Sequence, residues 1–520
     1  MKHVEMKRIS SYILKICIIQ FLLMIFIFAE GQEWPKIYGD NFHSTARNIK
    51  EDYDKGYLIT GYAGYGNLNV SKWGWLIKTD INGNIIWDKK FGAWSYNTTF
   101  FIASSKTEDQ GIILTGATSK YDNSPYYDPL FLKLNTCGEI EWCTILGSPG
   151  DNCGVDILQL DDKNYIGLLE YYGGDIQNVR ISLIKMDSLG MPLWIKNLAQ
   201  EDSTIFNEEG YILIHTSDDN LLVSGHCFCP NMRPFWIKTD TSGNEEWILK
   251  WPNGTGLDGQ TIAVKNGIFY ASGGLYNGPM TPTLFKFDID GYAIYQQYLL
   301  GDTIVGGGAE TLGYYNDSTL LVGINWGNVP YDYGYSEVFM IDTLGHLIKR
   351  KLLLDENRSP IYIIKTFDDK ILVIGDYAVD NNWDIYLWKF NFDLEPDTLY
   401  IQPLTYDSLC NETITSDTVD LSCGLYVSIK DIPLKEDYDK MLKVYPNPAI
   451  STINFEFKDL KTNATLSIYD SYGRLIEEKA VPVHTKDMQI PVSAYRTGLY
   501  LAVLKNATAI LGRERFMVWR

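Results

Sequence analysis

The sequence predicts an all-β chain, a seven-bladed β-propeller followed by a small β-sandwich, on three observations. First, an Asp/Asn-x-x-Gly-x-x-x-Trp element recurs through the first three quarters of the chain. It reads TDINGNIIWDKKFG at Thr79–Gly92, LNTCGEIEWCTILG at Leu134–Gly147, MDSLGMPLWIKNLA at Met186–Ala199 and TDTSGNEEWILKWP at Thr239–Pro252, with degenerate copies at Phe287–Leu300 and Ile341–Leu354. Its glycines (Gly83, Gly138, Gly190, Gly243, Gly291, Gly345) stand 48 to 55 residues apart, near the period of a propeller blade. Second, aromatic residues make up 14% of the 520, including 36 Tyr, while helix signals are scarce, which favours strands. Third, the last eighty or so residues form a separate set of alternating apolar strands, Thr452–Phe457, Thr465–Tyr469, Gln489–Val492 and Tyr500–Leu504, suited to a small sandwich.

At the N-terminus, Lys2, Lys7, Arg8 and Lys15 flank the apolar run Ile16–Ala29, whose fourteen residues are too few to span a bilayer, which takes about 20. With small residues at Ala29 and Gly31, residues 1–31 read as a signal peptide cleaved before Gln32. The mature chain is expected to be exported, soluble and monomeric. Formal charge is −20; removing the +2 of the leader and the +4 of Met441–Arg520 leaves the body at −26. So acidic a body repels phosphate backbones, and nucleic acid is not an expected partner.

Residues 32–396 form the predicted propeller. In the first repeat, strand A is His43–Lys50, B is Gly56–Tyr62, C is Trp73–Asp80 and D is Ile85–Gly92. The apolar runs fit strands buried on both faces, and glycine in the C–D turn supplies the positive φ of a tight hairpin. Seven B strands can be counted, at Leu58, Ile113, Tyr165, Leu222, Tyr270, Leu321 and Leu372. The seventh unit runs from strand C (Trp383–Phe390) into Glu395-Pro396 without a turn glycine or a Trp strand. Trp34 precedes Gly39 by the same interval as Trp87 precedes Gly92, so Glu33–Gly39 is expected to close the last blade. The repeat resembles the hairpin of sialidase-type Asp-box blades and the unit of pyrroloquinoline-quinone-type propellers, a likeness that implies architecture and no chemistry.

Residues 397–440 read as an acidic, Pro-punctuated linker, with Lys430–Lys440 its exposed end. Seven cysteines follow the leader, and export permits disulfides; Cys410 and Cys423 are the expected pair, with the others open. Residues 441–520 carry LKVYPNPA (Leu442–Ala449), LSIYDSYGRLI (Leu466–Ile476), TGLYLAVL (Thr497–Leu504) and RERFMVWR (Arg513–Arg520) in order. This set resembles the C-terminal sorting domain of type IX secretion cargo. The resemblance implies an Ig-like sandwich recognised by the secretion machinery, with Tyr445, Pro446, Asn447, Pro448, Gly473, Gly498 and Tyr500 as the matching signal positions, and a destination outside the cell or on the outer-membrane surface.

Catalytic signals are poor. Ser182–Lys185 has SxxK spacing but lies in a strand, where i and i+3 point apart, and Gly306–Gly308 precedes no helix. His226-Cys227-Phe228-Cys229 reads as a cysteine pair rather than a metal site. No catalytic residue, metal ligand or cofactor is assigned; calcium at turns such as Asp80–Gly83 and Asp288–Gly291 is the one candidate, and neither has the closing Glu of a calcium loop. The B–C loops are long and aromatic: Tyr62, Tyr65, Trp73, Tyr126, Tyr127, Tyr171, Tyr172, Trp326, Tyr331, Tyr333, Tyr335 and Trp383 are the candidate ligand-binding face. Aromatic faces beside carboxylates suit sugar stacking or protein hot spots. The expected function is a non-enzymatic binding or adhesion module for glycan or protein; the alternative is a secreted hydrolase or lyase acting on polysaccharide.

Overall fold

The computed structural model describes residues 34–519 apart from 40–42, 65–71, 93–97, 120–125, 148–149, 172–179, 200–207, 228–232, 252–255, 265–266, 277–279, 300–305, 329–331, 354–357, 380–381, 422, 424, 429–441, 459, 461, 471–474 and 507–509. Among these residues the chain is all β. The body contains sheets built on four antiparallel strands in the order A-B-C-D, beginning with Ser44–Glu51, Tyr57–Gly64, Lys72–Thr79 and Ile85–Gly92. These lie within two residues of the spans expected from the sequence. Strand A of each later sheet is Thr99–Lys106, Cys153–Gln159, Glu208–His215, Gly256–Val264, Gly307–Asn316 or Arg358–Lys365. Each of these A strands packs on the A strand of the next sheet, and Arg358–Lys365 packs back on Ser44–Glu51. A closed cycle of sheets is consistent with a β-propeller. The sheet of Arg358–Lys365, Ile371–Val379 and Asn382–Phe390 takes its fourth strand from Lys36–Tyr38, with Lys36 opposite Leu387 and Tyr38 opposite Ile385.

The sequence repeat has a physical cause at the boundary between sheets. The Asp or Asn that opens each C–D turn accepts the backbone N–H groups two and four residues on, at 2.8–3.2 Å, in Asp80, Asn135, Asp187, Asp240, Asp288, Asp342 and also Asn391. That side chain closes the turn as an Asx motif. The glycine that follows has positive φ, and at Gly83, Gly138, Gly190, Gly243 and Gly291 the Trp of the preceding sheet's D strand lies against it, whereas Gly345 faces Gln297, with Tyr295 in the Trp position. A Cβ on Gly190 would stand 2.2 Å from Trp142 Cε3, one on Gly243 2.9 Å from Trp194 Cη2, and one on Gly291 2.7 Å from Trp247 Cδ2. Trp34 faces Gly83 in the same way across the closure. The seventh turn does exist, although no glycine marks it. Leu394 occupies the glycine position with φ 59°, and the residue facing that turn is Lys349, whose ammonium lies 4.3 Å from the Phe392 ring.

A second repeat joins the A–B turns to the C strands. Lys78 bonds Asp52 and Asp54, Lys133 bonds Asp109 and Glu141, Lys185 bonds Asp162, Lys238 bonds Asp218 and Glu246, and Lys389 bonds Asp368. Lys78, Lys133 and Lys389 are buried, so each depends on its carboxylate partner to offset desolvation.

The expected linker and disulfide are corrected by the structure. Residues 397–428 are bound to the body rather than free of it. Asp417–Asp420 adds a parallel fifth strand to Ile85–Gly92, and Leu425–Ser428 adds one to Ile140–Gly147. Tyr400 exchanges hydrogen bonds with Asn82 at 2.7 and 3.0 Å, and Asp407 accepts from Trp87 Nε1 at 3.1 Å. Cys410 and Cys423 do not pair with each other; they form Cys137–Cys410 and Cys143–Cys423. The strap lies across two D-strand edges, which brings each of its cysteines to one already on the body. Lys430–Lys440 lies outside the described residues.

The C-terminal unit has a three-stranded sheet (Leu442–Tyr445, Thr452–Phe457, Asp487–Pro491) and a four-stranded one (Leu475–Val481, Ala464–Asp470, Gly498–Lys505, Ile510–Val518). Both contribute to a core that includes Phe455, Leu466, Tyr500 and Phe516.

Gly190→Ala is expected to lower stability by about 2–4 kcal/mol, because it combines left-handed backbone strain with overpacking against Trp142; denaturant titration measures it. Replacing Cys137 and Cys410 together by Ser is expected to cost about 3 kcal/mol: Cys143–Cys423 still closes the long loop of 280 residues, so the deleted bond constrains only the ring of about 19 residues that runs through both disulfides. Limited proteolysis should then cut first within 397–428, and an unchanged digestion pattern would count against the strap.

Candidate functional site

Every A strand carries a bulge at a corresponding position, shown by register shifts at Ala46/Asn48, Phe101/Ala103, Gly154/Asp156, Gly210/Ile212, Asp258/Thr261, Ala309/Thr311 and Pro360/Tyr362. Bulges interrupt the ladder and re-aim side chains. They put Arg47, Tyr211 and Glu310 on the accessible surface of the inner strands. The ladder interruption also leaves backbone N–H groups for side chains to satisfy. Asp376 Oδ1 accepts from Ala46 N at 3.0 Å, Glu170 Oε1 from Gly210 N at 3.2 Å, and Asp156 Oδ2 from Leu213 N at 2.9 Å, each reaching to the next sheet's A strand.

Register shows that Glu170 and Asp376 are equivalent. Each lies on strand B opposite the residue before the bulge pair, and Tyr62 and His226 occupy the same level in their own sheets. Burial pushes Asp376 up to about 7 against the opposing pull of Arg47. Burial, reinforced by Glu209, pushes Glu170 up to about 7, and burial pushes Asp156 up to about 6. Around Glu170 the Cys153 thiol donates at 3.6 Å, Tyr211 donates to Glu209 at 3.1 Å, and Tyr211 stacks on the buried His226 at 5.3 Å. Burial lowers His226 to about 4, which keeps the imidazole neutral. These acids share the B–C end of the body with the aromatic residues nominated from sequence. Sequence reasoning passed over Glu170 and Asp376 because an isolated Glu or Asp in a strand has no spacing signature; the inter-sheet register is what aligns them.

The nominated aromatics do not behave alike. Tyr62, Phe100 and Tyr127 form an edge-to-face row, with ring centroids 6.3 and 5.3 Å apart, and Tyr126 beside it is 46% exposed. Trp73, Tyr335 and Trp383 are half-buried. Trp326 is corrected: it is 3% exposed, packs on Tyr335 and Phe339, and donates Nε1 to Glu337 at 2.9 Å, so its indole belongs to the core. Tyr65, Tyr172 and Tyr331, and the side chains of Tyr171 and Tyr333, lie outside the described residues. Cys227 is disulfide-bonded. Among the described residues no cluster of three or more His, Cys, Asp or Glu is arranged to hold a metal, and Asp80 and Asp288 each commit Oδ1 to their own turn.

In the C-terminal unit, Asn447 donates Nδ2 to Arg515 O and accepts from Met517 N, both at 2.9 Å, tying the Pro446–Pro448 turn to the last strand. Tyr500 is buried and stacks on Phe516, whereas Tyr445 is 48% exposed; Gly473 lies outside the described residues. Residues 443–518 match the secretion system C-terminal sorting domain family. The chain is cargo of type IX secretion, engages that machinery through this domain, and is exported to the cell surface or the extracellular space.

No curated protein matches the chain. Among solved structures it is similar to a polysaccharide lyase, the ulvan lyase PL25, at 8% identity and a TM-score of 0.45 over 68% of this chain and 95% of that one. It is also similar to a luciferin-regenerating enzyme (12% identity, TM-score 0.36, 57% and 93% covered) and to a protein of unknown function from Bacteroides caccae (13%, 0.33, 49% and 81%). At these scores and identities the likenesses carry no argument about chemistry.

The raised acids have a consequence for stability. Their folded values lie above the ordinary 4.5 for Glu170 and 3.8 for Asp376, so the folded chain holds these protons more tightly than the unfolded one. Their stabilising contribution is complete below about pH 4 and is lost as pH rises toward 7. Relative to Glu170→Gln/Asp376→Asn, the wild type should lose about 2–4 kcal/mol between pH 4.5 and 7; parallel denaturation curves at both pH values would exclude it.

Proposed function

We propose that the body is a seven-bladed β-propeller of the Asp-box-like repeat type, closed by the N-terminal strand. An Ig-like sandwich carries it out of the cell, and it serves there as a glycan-binding module. The observation that carries this reading is the Tyr62–Phe100–Tyr127 row beside the exposed Tyr126 at the B–C end. Tyr rings lose little rotamer freedom on binding and present flat apolar faces with a polar edge, as sugar stacking requires. The opposite end of each sheet carries the A–B and C–D turns, whose side chains are engaged in Asx motifs and ion pairs.

A second reading, a hydrolase or lyase acting on polysaccharide, draws on one specific feature. Glu170 and Asp376 hold protons near neutrality, as a general acid must. One screen addresses both readings. The purified full chain should bind oligosaccharides without shortening them, and Tyr126→Ala with Tyr127→Ala should weaken binding about tenfold or more while thermal stability is kept. Chain shortening that disappears in Glu170→Gln or Asp376→Asn would replace the binding reading with the catalytic one.

A further inference from the structure

The aromatic row at the B–C end terminates in two cations. Arg47, the exposed bulge residue of the first A strand, lies 5.7 Å from the centroid of the Tyr62 ring, and Lys72, at the start of the first C strand, lies 4.6 Å from it. Lys78, Lys133, Lys185, Lys238 and Lys389 are each bonded to turn carboxylates at the opposite end. Neither Arg47 nor Lys72 has a described carboxylate within ion-pair distance. Arg47 acts on the carboxyl of Asp376, which is bonded to Ala46 N and pushed up to about 7 by burial, so it cancels only part of that charge at neutral pH.

The Tyr62 phenol records the local field. Burial pushes it up, yet Arg47, the hydrogen bond with Thr45, and Lys72 together bring it below its ordinary value. A site that stabilises negative charge on a phenol oxygen will do the same for a ligand anion placed there. Two cations flanking a ring, and continuing into two further rings, match a sugar chain that carries a negative group beside an apolar sugar face. This is the reverse of what a body at −26 presents elsewhere, so the cations mark one patch rather than a general affinity for anions.

We infer that Arg47, Lys72 and Tyr62 form an anion-selective subsite at the end of the aromatic row, and that the glycan bound there is acidic, carrying carboxylate or sulfate groups. The inference rests on the glycan-binding reading and adds its substrate class.

The test is calorimetric titration of the purified full chain with three probes of similar length: oligogalacturonate, dextran sulfate and unsubstituted dextran. Wild-type protein is compared with Arg47→Gln/Lys72→Gln and with Tyr126→Ala/Tyr127→Ala, all checked for unchanged thermal midpoints. The expected result is that one charged probe binds at least about tenfold more tightly than dextran and that the preference collapses in the Arg47→Gln/Lys72→Gln protein. Which probe is preferred separates carboxylate from sulfate. Raising salt should narrow the preference. Equal affinity for charged and neutral probes, lost only in the tyrosine variant, would overturn the acidic subsite and leave the glycan reading standing. Binding of none of the probes would overturn both.

Discussion

The contact between a D-strand indole and the next sheet's turn glycine is the constraint on which the body depends. Sheets in a ring must meet their neighbours at a fixed angle and distance, and a flat indole against a backbone with no Cβ sets both. Trp34, Trp87, Trp142, Trp194 and Trp247 all face such a turn. The glycine therefore meets two requirements at once, positive φ and close approach. Gly345 keeps both requirements although Tyr295 replaces the indole opposite it, and only the seventh turn does without glycine. Leu394 holds the seventh turn opposite Lys349, and its side chain is 1% exposed, so burial worth about 2 kcal/mol offsets about 1–2 kcal/mol of left-handed strain.

A ring assembled from such contacts has its weak point where the chain enters and leaves it. Here both ends are tied back. Lys36–Tyr38 supplies a fourth strand beside Asn382–Phe390, and Tyr38 donates to Gly83 O at 2.7 Å, joining the closing sheet to the first. The strap then crosses the first two sheets and is held by Cys137–Cys410 and Cys143–Cys423. It also covers two D-strand edges that would otherwise offer unpaired backbone groups. Such bonds require an oxidising compartment, which agrees with export through the C-terminal domain.

What could be read from sequence was what repeats locally. The Asx turn, its glycine and its tryptophan fall within nine residues, so their periodicity survives in a linear string. The seventh turn was hidden because Leu394 breaks the pattern at the one residue that defines it to the eye, while Asn391 keeps its role. The disulfides were illegible for a different reason: proximity of Cys410 and Cys423 in the chain favours pairing them, whereas the parallel strands Asp417–Asp420 and Leu425–Ser428 set the distances that matter. Among the nominated aromatics, position in the chain could not separate Tyr126, at the surface, from Trp326, in the core. Glu170, Asp376 and Arg47 became candidates only through the bulge, which depends on the pairing of A with B strands.

The distribution of charge then decides which end of the body is free to act. At the A–B and C–D end, turn aspartates are committed to their own backbones or to buried lysines, and removing either partner would leave an uncompensated charge. That end holds the fold together and has little chemical capacity to spare. At the B–C end the bulges disturb the same strands, exposing Arg47 and Tyr211 and drawing Glu170 and Asp376 onto backbone N–H groups of the neighbouring sheet. Groups held this way have shifted proton affinities and accessible partners. The binding proposed for this chain is assigned to the irregular end for that reason.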